Sequence, residues 1–229
     1  MLQFARDYLP LYFQGTLVAI AVTALSMLLS VAIGLAAALG RLSGSRAARS
    51  IVSAYVAFFR GIPPLVLLYV VYFGLPSWAE QMGIRPLAAF LAPLNNRVLS
   101  AVIAFGVNSG AYSTEIIRSA IASIPHEQME AAQSLGMSYW LAMRRIIVPQ
   151  SARVAFPPLG NEFIAVLKGT SLASVIGVTE LMRDAQLVAA ATFQNLMAYS
   201  LAGVYYVVLV IMLQGAVGWI EGRLSLAHK

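Results

Sequence analysis

Two ionisable residues interrupt an otherwise apolar stretch. Glu162 and Lys168 lie between Val154 and Val178, with Asn161, Thr170, Ser171 and Ser174 around them. A carboxylate there can meet an ammonium group, and an ammonium can meet a carboxylate. At mid-bilayer each such group costs about 2.5–3.5 kcal/mol on insertion scales, so it faces a partner or a water-filled path. Six residues separate the two, about 600° of helical rotation, so they share no face and do not pair with each other. Each therefore either lines a solute path or bonds another helix. For Thr170, Ser171 and Ser174 the competing role is helix–helix packing through small residues. A second polar set, Asn108, Tyr112, Glu115 and Ser119, recurs at i, i+4, i+7 and i+11. That spacing marks one helical face, which is expected to look inward. Glu115 and Arg118, three apart, suit a structural pair.

Other chemistries lack their parts. Gly169-Thr170-Ser171-Leu172 has the look of a nucleophilic serine, but the two histidines, His126 and His228, fall outside the apolar runs. Without a base the nucleophile is idle, and an intramembrane serine protease is rejected. The chain has no Cys, hence no thiolate nucleophile, disulfide or thiolate metal site. It has no Gly-x-x-x-x-Gly-Lys-Ser/Thr sequence, so it does not hydrolyse ATP itself. No cofactor or metal is expected.

The elements that hold these residues are set by composition. Of 229 residues, 60% are hydrophobic and 10% charged; soluble domains average about 25% charged. Lipid must replace water over much of this surface. The net charge of +6 comes from 15 basic residues placed between apolar runs. They read as topology signals, not as a nucleic-acid surface. A membrane-crossing helix needs about 20 apolar residues. Five segments qualify, near 15–40, 51–78, 98–122, 154–178 and 196–220. The first is charge-free between Asp7 and Arg41, far longer than a signal peptide core of about 7–15 residues, and is kept as a span. Arg60-Gly61-Ile62-Pro63-Pro64 breaks the second, because proline removes backbone donors; broken helices often line transport sites, and a plain kink with Arg60 reaching the interface is the alternative. Glu80 to Asn96, with Pro86 and Pro93, reads as a turn-rich connection. No internal repeat is visible.

Basic residues set orientation. With the N-terminus outside, inner segments hold Arg41, Arg46, Arg49, Arg118, Arg144, Arg145, Arg153, Arg223 and Lys229, against Arg6, Arg85, Arg97 and Arg183 outside. The C-terminus is then cytoplasmic. The longest inner segment, 123–153, reads as two short helices. Pro125 opens the first, Glu127 and Glu130 suit its N-terminal end, and Gly136 ends it. Ser138 caps the second, Arg144 and Arg145 complement its C-terminal dipole, and Pro149 stops it. Met129, Leu135, Met137, Trp140 and Leu141 give this hairpin more apolar surface than a plain loop needs, which suits a docked protein.

Glu130-Ala131-Ala132 followed by Gly136 and Pro149 resembles the Glu-Ala-Ala signature of permease subunits in bacterial ABC importers. Gly110 to Arg118 with Ile124-Pro125, Phe59 to Pro63, Gly160 to Ile164, and Leu167 to Leu172 are similar to the polar amino-acid branch, the histidine/glutamine type. The likeness runs in order along nearly the whole chain, as one domain over 1–229. It implies an all-α polytopic permease of about five spans with a cytoplasmic coupling helix. It implies function as the permease subunit of an ATP-driven importer, moving an amino acid or similar small polar solute by alternating access. Implied partners are cytoplasmic ATPase subunits docked at Glu130, Ala131, Ala132, Gly136, Ser138, Trp140 and Arg144, an external solute-binding protein, and a second permease, identical or paralogous. Implied location is the bacterial inner membrane. The implied substrate path holds Asn161, Glu162, Lys168, Thr170, Ser171, Asn108 and Tyr112. This chain departs from the branch at Ile62, Leu67 and Gly169, where Thr, Gln and Asp are usual or frequent. Each change removes a polar group, so a strongly charged substrate is not implied. A proton-coupled secondary transporter is the alternative, and it leaves the hairpin pattern unexplained.

Overall fold

The structure is a computed structural model that describes residues 2–226; His228 and Lys229 lie outside the described residues. Among those residues every regular element is helical. Helix α1, Leu2–Leu42, carries the first apolar run. Helix α2, Arg46–Gly61, is capped by Ser45, whose hydroxyl accepts from the Ala48 N–H. Helix α3, Pro64–Tyr69, passes through a π turn at Val70–Gly74 into α4, Leu75–Gln81. Helix α5, Arg85–Leu91, and a 3-10 turn at Ala92–Asn95 precede α6, Arg97–Ala122. The hairpin holds α7, His126–Ser134, and α8, Tyr139–Ala142; α9 is Val148–Gly169. A 3-10 turn at Thr170–Ile176 leads to α10, Leu181–Thr192, and α11, Asn195–Leu226, ends the described chain.

Among the described residues two helices, α1 and α11, are long and apolar enough to cross a membrane unaided; counting three bent pairs as single spans gives up to five. The bends are 102° between α2 and the 64–81 segment, 95° before α6, and 48° between the 139–176 segment and α10. The proline break expected at 60–64 is thus the sharpest turn in the bundle.

Small residues bring α1 and α6 together, as membrane helices require in the absence of a hydrophobic drive. A Cβ on Gly34 would stand 2.7 Å from Ser113 Cβ, so only glycine allows this approach. The central core joins Val22 and Met27 of α1, Leu67 and Leu68 of α3, Ala101 to Phe105 of α6, and Val166 of α9. A second cluster packs Tyr12 of α1 against Leu181, Ala185 and Val188 of α10 and Ala198 of α11. Glu180, 0% exposed, clamps this end. Its carboxylate accepts from the Met182 and Arg183 N–H groups, capping α10, and from the Tyr206 hydroxyl of α11 at 2.9 Å.

Three expectations are corrected. Pro149 does not stop a helix. The helix runs unbroken from Tyr139 to Ile176. A π turn at Met143–Ile147 widens the spiral just before the proline, and the Val148 N–H reaches back to Met143. The π turn thus lets the helix continue through Pro149. Arg144 and Arg145 accordingly lie within a continuous helix and not at its C-terminal end. The 80–96 connection is not merely turns, because Pro86 occupies the first turn of α5.

Candidate functional site

The break after α2 shapes the site. Pro63 and Pro64 have no N–H, so the carbonyls of Phe59 and Arg60 lose the donors an unbroken helix would supply four residues on. The Asn108 side-chain amide, from α6, donates to the Phe59 carbonyl at 2.6 Å. Beside it the Tyr55 hydroxyl donates to the Val107 carbonyl at 2.7 Å. The Arg60 guanidinium lies 5.0 Å from the Tyr112 ring centre, a cation–π contact.

From α9 comes Glu162. Its Oε1 accepts from Ser109 Oγ at 2.8 Å. Ser109 accepts from Ser30 at 3.0 Å, and Ser30 lies 2.8 Å from Ser113. Each hydroxyl has one proton to give. The chain of donors therefore runs from Ser113 to Ser30 to Ser109 and ends on the carboxylate. Between these groups lies a cavity of about 310 Å³. Asn108, Ser109, Tyr112 and Glu162 give it polar walls; Pro64, Phe105, Ala165 and Val166 give it apolar ones, with Gly169 at one end.

The polar residues singled out from sequence divide. Asn108, Tyr112 and Glu162 meet at this cavity. Asn161 and Lys168 are exposed and do not line it. Among the described residues Lys168 makes no ion pair. Thr170 is buried and donates to the Leu167 carbonyl, and Ser171 donates to that of Lys168. Ser174 likewise donates to Ser171, so these hydroxyls finish the end of their helix. The Asn108 stripe also divides: Ser119 is exposed rather than inward, and Glu115 bonds Arg118 at 3.0 Å. Glu115 additionally pairs with Arg41 of α1, a partner the sequence did not reveal. Ser109 and the Arg60–Tyr112 contact were likewise not legible, since both depend on which helix stands opposite.

The two caps of the hairpin form as their residues suggest, although its second helix continues into α9. Gly136 has φ 82°, and its N–H bonds the Gln133 carbonyl while that of Met137 bonds Ala132. This left-handed cap with paired 5→2 and 6→1 bonds is a Schellman motif. The Ser138 hydroxyl accepts from the Leu141 N–H and caps α8. Ala132 is buried, whereas Glu130, Ala131 and Arg144 are exposed. Leu135 and Trp140 are 81% and 69% exposed. Met143 and Ile147 anchor the hairpin under the C-terminal ends of α1 and α6, against Ala38, Ile117 and Ile121.

A family profile described as "Binding-protein-dependent transport system inner membrane component" matches residues 30–226. The chain belongs to this family. It is a multi-pass inner-membrane permease with the type I importer fold. The L-cystine transport system permease TcyB of Bacillus subtilis is 37% identical over 221 residues, covering 96% of this chain and 89% of the relative. The glutamine transport system permease GlnP of Escherichia coli K12 is 33% identical over 218 residues, covering 95% and 94%. The crystal structure of an amino acid ABC transporter with histidines superposes with TM-score 0.84 at 32% identity, covering 96% of this chain and 97% of that one. The MetNI methionine transporter in an inward-facing form shares the fold, with TM-score 0.76 at 19% identity.

Proposed function

We propose that the chain is the permease subunit of an ATP-driven importer whose solute is an amino acid with an uncharged side chain. The observation that carries this reading is the 310 Å³ cavity at the helix break, with the Glu162 carboxylate in its wall and the Arg60 guanidinium held against Tyr112, another of its lining residues. Its size falls at the small end of ligand pockets, about 300–1,000 Å³. A zwitterion fits this pattern, its ammonium toward Glu162 and its carboxylate toward Arg60, with Phe105 and Val166 left for an apolar side chain. The relatives that carry amino-acid names support the class of solute.

The exposed Leu135 and Trp140 belong to the surface that receives a separate ATPase, which supplies the energy. The surface includes Glu130, Ala131, Gly136, Ser138 and Arg144. The hairpin faces the cytosol, the N-terminus lies outside, and a solute-binding protein delivers from outside. Two permeases, identical or paralogous, enclose the gated path. Asn161 and Lys168, exposed on α9 beyond the cavity, belong to the entry route, and Thr170 and Ser171 shape the turn that ends this helix.

The test reconstitutes the chain with its ATPase and binding protein and screens amino acids for stimulated ATP turnover. Stimulation by neutral amino acids, lost in Glu130→Lys, is expected. Failure of every amino acid to raise turnover would overturn the reading. Modification of Ser138→Cys by an impermeant reagent in intact cells would overturn the orientation.

A further inference from the structure

A second concavity lies between α1, α9 and α11, on a different face of α9 from Glu162. It encloses about 760 Å³ and its lining is apolar throughout. Its outer end is marked by Ala24, Phe163 and Leu213, and its inner end by Leu35, Phe156 and Ile220. Eleven residues from Ala24 to Leu35 rise about 16 Å. Half the hydrocarbon core of a bilayer is about 15 Å. The groove is therefore one leaflet deep, with no polar lining group to hold a solute.

Charge marks one end only. Arg153 precedes Phe156 by three positions, and Arg223 follows Ile220 by three, so each stands one turn beyond the groove on the same helical face. Both are exposed, and among the described residues neither enters an ion pair. Arg223 is held over the Trp219 ring, 4.7 Å from its centre. Arg41, on α1, is already engaged by Glu115. The acidic neighbour Glu221 follows Ile220 directly and so points about 100° away. No Arg or Lys lies within one turn of the outer-end residues on any of the three helices.

From this we infer that the groove is a binding site for an anionic glycerophospholipid of the inner leaflet. One acyl chain lies between α1, α9 and α11, and the phosphate meets Arg153 and Arg223. The inference rests on the orientation proposed above. It does not depend on which solute is carried.

The test places the purified chain in nanodiscs with spin-labelled phosphatidylglycerol or spin-labelled phosphatidylcholine and reads the immobilised fraction. The native chain is expected to prefer phosphatidylglycerol. Arg153→Gln with Arg223→Gln should cut that preference by about fivefold per arginine. Ala32→Phe, at an exposed groove position, should remove the immobilised component for both lipids while helicity and elution volume stay native. An unchanged preference in the double arginine variant, or an unchanged immobilised fraction in Ala32→Phe, would overturn the site. So would quantitative disulfide formation between two copies carrying Leu28→Cys, since a second copy would then cover the groove.

Discussion

Asn108 closes a gap that two prolines open, and its removal has a cost that the geometry fixes. Asn108→Leu keeps the volume near native but leaves the Phe59 carbonyl, deprived of its helix donor by Pro63, without a partner. A buried acceptor left unpaired costs about 1–3 kcal/mol. For chains of this length each kcal/mol moves Tm by about 2–4 °C, so the variant should melt about 2–12 °C lower. Tyr55→Phe is the internal comparison. It also deletes one bond between α2 and α6, but the Val107 carbonyl lies inside α6 and keeps its own helix donor. That loss is worth only about 0.5–1.5 kcal/mol. Thermal unfolding in detergent, followed by tryptophan fluorescence, should rank native above Tyr55→Phe above Asn108→Leu. If Tyr55→Phe costs as much as Asn108→Leu, or Asn108→Leu costs nothing, the orphaned-carbonyl argument is wrong.

Three further outcomes are expected. Glu162→Gln should weaken apparent solute affinity by about tenfold to hundredfold in stimulated ATP turnover, because a charged acceptor is lost while Ser109 keeps a partner; equal affinity would remove Glu162 from the path. Glu180→Ala should destabilise the chain by about 1–3.5 kcal/mol, the sum of a lost helix cap and the lost bond to the Tyr206 hydroxyl, read by the same melting assay. Gly34→Val should cost about 1–3 kcal/mol by forcing α1 away from α6, and a cross-link between cysteines placed at Ser30 and Ser109 should slow relative to the pair in the Gly34 background.

Apolar run length pointed to about five crossing segments, because a bilayer demands it, and the paired prolines located the break. Gly136 and Ser138 located the hairpin caps, because each does its work through its own backbone. Pro149 misled for a physical reason. A proline ends a helix by default, but the π turn at 143–147 supplies slack that no residue pattern announces. The cavity was half legible. Asn108, Tyr112 and Glu162 stood out as polar groups in apolar runs, whereas Ser109 and Arg60 acquire meaning only from the helix opposite. Lys168 and Asn161 stood out equally and face away, since a run of letters does not say which side of α9 meets α6.

The uninterrupted rod from Tyr139 to Ile176 makes hairpin and carboxylate parts of one mechanical member. Val148 to Glu162 is 14 residues, about 21 Å. A rocking of 10° about the π turn would swing Glu162 sideways by roughly 3.6 Å, more than a hydrogen bond's length. Such a stroke at Trp140 would pull the carboxylate off Ser109 without unwinding any helix.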